Sequence, residues 1–333
     1  MTKFRHFPFW LQVLLSLLVL AVIVALSLCI GAANTSLQDV YQAISGQEGG
    51  KHYAILREIR FPRIIAAIFV GSALAVAGAI MQGVTRNPLA DPGLLGLTAG
   101  ANAALALMLA LLPKSSYYML ILACFIGAGI GMIIVYSIGA STKGGFSPLK
   151  LVLAGAAVSA LLQAVAEGTG ILFKIAKDVS MWTSGGLVGT TWQVLIIVPF
   201  IIIGLVIAFI FSRQLTILSL NEEVAVGLGQ NTTLIKVIMM VVVVILAGSA
   251  VALVGNLAFI GLMVPHIVRA LVGTDYRFVL PMSAIIGGLL MVAADLLARI
   301  VNAPYETPVV AIISILGLPF FLLLVRKGGR QFV

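Results

Sequence analysis

The basic side chains of this sequence are its most conspicuous candidates for chemistry, because only 9% of the 333 residues are charged. Lys51, Arg57, Arg60 and Arg63 crowd one segment, and Arg299 stands at the end of a later apolar run. Arginines near the ends of membrane helices often extend toward water, which is one explanation. The other is a cationic surface for an acidic partner or an anionic ligand. The residues alone leave both explanations open.

The patterns of the common catalytic and metal-binding sites are missing from the sequence. No G-x-x-x-x-G-K-[ST] loop occurs, so we expect ATP to be hydrolysed by a partner chain. His6, His52 and His266 are far apart along the chain and do not resemble a metal site. No Ser/His/Asp set or paired carboxylates are recognisable, which argues against an enzyme. We expect no cofactor to be bound by this chain.

The composition is that of a membrane protein. Hydrophobic residues make up 61% of the chain, and soluble domains usually contain about 25% charged residues. Apolar runs recur from residue 9 to residue 325 without a polar interval large enough for a domain, so we predict one membrane domain over residues 1–333. The net charge of +9 comes from scattered short clusters, which does not fit nucleic-acid binding.

Ten apolar segments are long enough, or nearly so, to cross a bilayer as helices, and alternating strand patterns are absent. The sequence therefore predicts an all-α polytopic membrane protein. The first segment is about twice the length of a signal-peptide core, so we expect it to be retained. The predicted spans are residues 9–32, 61–83, 93–112, 117–139, 149–172, 191–211, 232–254, 257–272, 280–301 and 308–325.

An even number of spans puts both termini on one side of the cell membrane. Placing them in the cytoplasm puts a modest majority of the 20 Lys and Arg residues inside, in the direction that membrane topology favours. The exceptions include the clustered arginines of residues 57–63. Residues 35–45 follow the first span and open with Ser36 three before Asp39, which predicts a short capped helix on the outer surface.

A second short amphipathic helix is predicted on the cytoplasmic side at residues 219–229, SLNEEVAVGLG. Ser219 three before Glu222 indicates an N-terminal cap, and the two glycines that follow indicate a stop. Such a helix could lie at the lipid headgroups. It could also be a docking surface for a cytoplasmic partner, which we favour because Glu222 and Glu223 would be repelled by the anionic inner leaflet.

Two features bear on the mechanism of transport. In residues 87–96, NPLADPGLLG, Asp91 and Pro92 predict a turn followed by a new helix start, either as a packing irregularity or as a gate. A proton-coupled carrier would need ionisable groups inside the membrane, and the candidates are Glu167 and Asp295. Asp295 stands four residues before Arg299, so an ion pair explains it, and Glu167 lies near a helix end. A secondary transporter is nevertheless an alternative.

Residues 58–101, EIRFPRIIAAIFVGSALAVAGAIMQGVTRNPLADPGLLGLTAGA, resemble the signature of the permeases for iron siderophores, haem and cobalamin in type II ABC importers. The segments SLNEEVAVGLG, GLMVPHIVRALVGTDYRFVLP, ADLLAR and GLPFFLLL resemble the same family in the same order. The resemblance implies the ten-helix permease fold of that family. It also implies a second permease subunit, identical or paralogous, two ATP-binding subunits, and an extracytoplasmic substrate-binding protein.

The resemblance further assigns roles to residues of this chain. Arg60, Arg63 and Arg299 would contact acidic residues of the binding protein, and the cytoplasmic gate would include Asn87, Leu89 and, by a looser match, Ser147. Contact with the ATPase would involve Ser219, Asn221, Glu222, Glu223, Ala225, Gly227, Leu228 and Gly229. None of these residues is expected to be catalytic. The expected ligand is an iron(III)-siderophore, such as a ferric hydroxamate, with cobalamin or haem as the alternative.

Overall fold

The computed structural model describes residues 7–31, 35–46, 52–140, 148–220, 222–303 and 305–326, and these contain helices and turns but no strand. The α-helices are α1 Phe9–Cys29, α2 Leu37–Ile44, α3 Phe61–Thr85, α4 Leu97–Leu111, α5 Tyr117–Ala140, α6 Pro148–Leu172, α7 Ala176–Thr183, α8 Val198–Ile210, α9 Ser212–Leu220, α10 Glu222–Gly227, α11 Thr232–Val254, α12 Ile260–Val272, α13 Tyr276–Ile300 and α14 Val309–Arg326. A π-helical turn, Ile55–Arg60, precedes α3, and 3-10 turns precede α4 and α8.

Each predicted span coincides with an apolar helix. Six helices, α1, α3, α5, α6, α11 and α13, are long and apolar enough to cross a membrane. The helical segment 194–210 and α9 are bent by 58° at their junction and make a seventh candidate if they are counted as one broken span. Because α4, α12 and the apolar part of α14 are shorter, the count of ten crossings stays a prediction.

The short helix α2 begins as its sequence predicts. The Ser36 hydroxyl accepts a hydrogen bond from the Asp39 backbone N–H at 3.1 Å, and the Asp39 carboxylate accepts one from the Ser36 backbone N–H at 2.8 Å. These reciprocal bonds satisfy backbone donors that a helix start leaves without partners. The predicted capping box is therefore confirmed.

Helix α3 lies at the centre of the bundle, and most of its residues are buried. Glycines let its neighbours approach closely: a Cβ placed on Gly71 would lie 2.7 Å from the Cβ of Met291 in α13 and would also collide with the Gly287 carbonyl group. Gly78 meets Gly261 of α12 in the same way. Small residues at such crossings allow close helix packing without a hydrophobic driving force between helices.

The antiparallel pair α3 and α13 defines two ends of the bundle. At one end Arg63 of α3 pairs with Asp295 of α13, and this is called the arginine end. At the other, the last turn of α3 packs at Gly83 against Tyr276 of α13, and this is called the coupling end. Leu215 of α9 also packs against Gly83, so the helix that leads into the segment predicted to contact the ATPase lies at the end of the bundle opposite the predicted docking arginines.

Candidate functional site

Five charged residues form a cluster at the arginine end: Arg60, Arg63, Asp295, Arg299 and Glu306. Arg63 donates from Nε to Asp295 Oδ1 at 2.9 Å, and its Nη1 lies 2.9 Å from both carboxylate oxygens of Glu306. Arg299 Nε lies 3.2 Å from Asp295 Oδ2, four residues earlier on the same helix. This confirms the predicted i,i+4 pair and adds Arg63 as a second partner of Asp295.

The other two guanidinium groups lie against the C-terminal end of α1. Arg60 donates to the Leu28 carbonyl and, at 2.9 Å, to the Thr35 hydroxyl. Arg299 donates to the Ser27 carbonyl at 3.2 Å. The last carbonyls of a helix have no partners within the helix and carry its negative dipole end, so they attract cations. The arginine cluster thus holds α1 to α3 and α13.

All three predicted docking arginines are brought together by the fold, and all three are buried. Their exposed fractions are 5% for Arg60, 4% for Arg63 and 6% for Arg299. Asp295 is fully buried, whereas the Glu306 side chain is 36% exposed. Glu306 is therefore the carboxylate of the cluster that is open to solvent. Sequence reasoning missed it, because 243 residues separate it from Arg63.

Arg57, in the same basic segment, is exposed. Its guanidinium lies 5.8 Å from the centre of the Trp192 ring, within the range of a cation–π contact. The Trp192 Nε1 donates to the Arg57 carbonyl at 2.9 Å, which fixes the ring beside it. Lys51, which completes the predicted basic segment, lies outside the described residues.

The connection after α3, residues 86–91, is called the gate turn. Arg86 ends α3 in the left-handed region at φ 49°, and the Asn87 side-chain oxygen then accepts from the Leu89 backbone N–H at 3.0 Å. Asp91 accepts from the Gly93 N–H at 2.8 Å and caps a 3-10 turn that begins at Pro92, as predicted. The third predicted gate residue, Ser147, lies outside the described residues.

A cavity of about 440 Å³, with a largely apolar wall that also carries polar side chains, opens between α4, α6 and the non-helical residues before α12. Asp91, one of the lining residues, shows how deep the cavity goes. A Cβ added to Gly261 would lie 3.1 Å from Asp91 Oδ2 and also 3.1 Å from the carbonyl oxygen of Leu74, so Asp91 lies near the middle of α3. The cavity therefore reaches the middle of the bundle. Its polar lining consists of Asp91, Thr98, Asn102, Ser159, Gln163 and Asn256.

The segment 219–229 at the coupling end differs from its prediction in one respect. Ser219 lies in the last turn of α9, and its hydroxyl donates to the Thr216 carbonyl at 2.7 Å. The predicted role of Ser219 as the cap of the next helix is therefore wrong: the helical pattern begins earlier, at Ser212, because the chain bends there and continues as α9. Asn221 lies outside the described residues.

The short helix α10 presents an apolar surface. Ala225 is fully buried against its surroundings, whereas Val224, Val226 and Leu228 are 47%, 58% and 67% exposed. Leu220, at the end of α9, is 69% exposed. Exposed apolar side chains that stand together mark interaction surfaces more often than isolated ones do. Glu223 belongs to the same helix. Gly227 and Gly229 end it as predicted.

Asp275 caps the start of α13 next to this segment. Its carboxylate accepts from the Arg277 backbone N–H at 2.9 Å and from the Arg277 guanidinium at 2.6 Å. The hydrogen bond from the Arg277 side chain, with smaller contributions from the Arg277 backbone and Thr216, lowers the pKa of Asp275 below its ordinary value. The carboxylate is therefore ionised at neutral pH, and its negative charge interacts favourably with the positive, N-terminal end of the α13 dipole.

No group of three or more metal-binding side chains occurs within the part of the chain that the structure describes. The two cysteines are free: Cys124 is buried and Cys29 partly buried. The described residues therefore form a buried charge cluster at the arginine end, a group of exposed apolar side chains at the coupling end, and a cavity lined by α4 and α6.

Comparison with known proteins agrees with this arrangement. The pattern of the FecCD transport family matches residues 18–327. The chain is 46% identical to the iron(3+)-hydroxamate import system permease protein FhuB of Bacillus subtilis (strain 168), over 92% of this chain and 80% of the relative. It is 44% identical to the Fe(3+)-citrate import system permease protein YfmD of the same organism, over 91% and 90%. A solved metal-chelate type ABC transporter in an inward-facing conformation superimposes with a TM-score of 0.82 at 26% identity, covering 96% of this chain and all of the other.

Proposed function

The chain belongs to the FecCD transport family, and on that premise we propose that it is the permease subunit of an ATP-driven importer for an iron(III)-siderophore. A ferric hydroxamate is the expected ligand, which the 46% identity to a hydroxamate permease supports. Ferric citrate is a second candidate within the same class, on the 44% identity to a citrate permease. Cobalamin or haem import is the alternative outside that class.

The cavity with polar side chains between α4 and α6 is the observation that carries the proposal. Polar side chains at membrane depth are costly and usually face protein or water-filled space. Hydroxyl, amide and carboxylate groups are set into a largely apolar wall between α4 and α6, so a ligand meets few fixed polar contacts and passes without tight binding. The ligand would enter from the arginine end and leave past the gate turn as the two ends open in alternation.

Partners are proposed for both ends, with the arginine end outside the cell and both termini inside. At the arginine end, acidic groups of an extracytoplasmic binding protein would engage Arg60, Arg63 and Arg299. Since Glu306 already pairs with Arg63, we expect docking to displace it. At the coupling end, one of two ATP-binding subunits would contact the exposed side chains of α9 and α10. A second permease subunit, identical or paralogous, would complete the path.

The decisive experiment is uptake by proteoliposomes that contain this permease with its ATP-binding subunits and binding protein. We expect ATP-dependent uptake of a radiolabelled ferric hydroxamate, with less for ferric citrate, haem and cobalamin. Collapse of the proton gradient should leave uptake intact. Uptake that stops with the gradient and continues without ATP would instead establish a secondary transporter.

The cavity is tested by filling it. Ser159→Trp, on the cavity wall, should abolish uptake while the binding protein still docks. Leu161→Trp is the matched control on the same helix, since Leu161 is 64% exposed and does not line the cavity. Equal uptake by the Ser159→Trp variant and the control would exclude this cavity as the path.

A further inference from the structure

Three helices meet in one tightly packed joint at the coupling end. A Cβ added to Gly83, in the last turn of α3, would lie 2.8 Å from the Tyr276 ring and 3.0 Å from the Leu215 side chain. Both distances are shorter than ordinary van der Waals contact, and both partners are buried. A larger residue at position 83 would have to push one of these two side chains aside, so glycine lets the end of α3 rest directly on α9 and α13.

A hydroxyl group bonds α9 to the start of α13 beside this packing. The Thr216 Oγ1 accepts from the Tyr276 backbone N–H at 2.9 Å and lies 3.1 Å from Asp275 Oδ1. It also lies 3.0 Å from the Ser212 carbonyl one turn earlier in α9. The single hydroxyl proton serves either acceptor, while the bond from Tyr276 is kept in both cases. A displacement of α9 therefore pulls on the first turn of α13.

The same end of α3 is bonded directly to the gate turn. The Gln82 backbone carbonyl accepts from the Asn87 N–H at 3.2 Å. Its side-chain amide donates to the Gly261 carbonyl at 3.1 Å and accepts from Arg269, both in α12. Movement of the last turn of α3 is thus carried into the gate turn and into the start of α12 next to the cavity.

We propose that Gly83, Thr216 and Tyr276 are positioning residues that transmit a displacement of α9 and α10 to the gate turn. The inference rests on the proposed function, in which an ATP-binding subunit moves α9 and α10. None of the three residues lines the cavity between α4 and α6. They act by contact geometry, in which packed side chains and hydrogen bonds form a continuous physical connection.

The test compares the ligand transported per ATP hydrolysed in the reconstituted transporter. Thr216→Val keeps the shape of the side chain but removes the hydroxyl, and we expect the ratio to fall about fivefold, the factor that one net hydrogen bond represents. Thr216→Ser keeps the hydroxyl and should restore the ratio. Thr85→Val is the matched control, because the Thr85 hydroxyl donates only within its own helix, to Met81 at 2.6 Å.

Gly83→Ala tests the packing independently of the hydrogen bond. The added methyl group must push Tyr276 or Leu215 aside, so ATP hydrolysis should continue while uptake falls by a similar factor. Wild-type transporter that fails to take up the ligand with ATP would refute the proposed function itself. If the wild-type transporter takes up the ligand but Thr216→Val and Gly83→Ala leave the amount of ligand transported per ATP unchanged, only the role of Gly83, Thr216 and Tyr276 is refuted. The same conclusion follows if Thr216→Ser lowers this ratio as much as Thr216→Val does.

Discussion

The stability of the arginine end should depend on Asp295 far more than on Glu306, although both carboxylates pair with Arg63. Asp295 is fully buried and faces Arg63 at 2.9 Å and Arg299 at 3.2 Å. Asp295→Asn keeps the shape of the side chain but leaves three buried guanidinium groups with a single carboxylate. Removing one partner of a buried pair typically costs about 3 to 5 kcal/mol, because the remaining charge is left uncompensated.

Glu306→Gln is the matched comparison, since the same conversion of carboxylate to amide occurs at a side chain that is 36% exposed. Water screens this pair, so we expect a loss of about 1 kcal/mol or less. Reversible unfolding in mixed detergent micelles, followed by circular dichroism, measures both losses. Equal costs for the two substitutions, or an Asp295→Asn loss below about 1 kcal/mol, would refute the reasoning that burial decides the energy.

A third variant separates charge from packing. Arg299→Met removes one of the two cations that face Asp295 and keeps much of the apolar stem. In combination with Asp295→Asn, it should lose less stability than the sum of the two single losses, because fewer unpaired charges are left buried. Strict additivity would mean that Arg299 and Asp295 do not interact, despite their 3.2 Å separation.

Two further predictions concern the contacts of α3 and α13. Gly71→Ala places a methyl group 2.7 Å from the Met291 Cβ and should lower the free energy of unfolding by about 1 to 3 kcal/mol through overpacking. In the control Gly129→Ala the methyl group meets only Val244, at 3.7 Å, so the same assay should show no change or a gain of up to about 1 kcal/mol. A larger loss for Gly129→Ala than for Gly71→Ala would contradict the prediction. The pKa of Asp275 is lowered in the folded state, so its stabilising effect is complete above the unfolded pKa of about 3.9 and is lost as the pH falls through the lower folded pKa. Asp275→Asn should therefore reduce the dependence of the free energy of unfolding on pH in this acid range. An unchanged dependence would contradict this prediction.

Hydropathy and local chemistry predicted much of the fold from the sequence. Apolar runs place the ten predicted spans on apolar helices to within a few residues, because lipid-facing backbone in a bilayer needs the hydrogen bonds of a helix or a closed barrel; the short helices α7 and α9 were not predicted. The reciprocal bonds of Ser36 and Asp39 and the cap at Asp91 depend on residues two or three positions apart, which a sequence displays directly. The bend between α8 and α9 was missed because no proline or glycine marks it.

The candidate site was predictable in membership but not in geometry. The pattern around Arg60, Arg63 and Arg299 selects residues that do lie together. Their partners are the Ser27 and Leu28 carbonyls and Glu306, which are 272, 32 and 243 residues away in the chain. Such partners follow from helix packing, so no spacing rule could have supplied them.

These partners also give another explanation for the arginines that the predicted topology places on the outer side of the membrane. Arginines that the predicted topology places against the positive-inside tendency need neither lipid snorkelling nor an external acid to be stable, since α1 carbonyls and Asp295 already pair with them. The cluster nevertheless holds three cations and two carboxylates, and its carboxylate at Glu306 is the one open to solvent. The net positive charge of the cluster would therefore attract an acidic partner, whose carboxylate could replace Glu306 beside Arg63. The buried ion pair with Asp295 would keep α3 and α13 together while this replacement takes place.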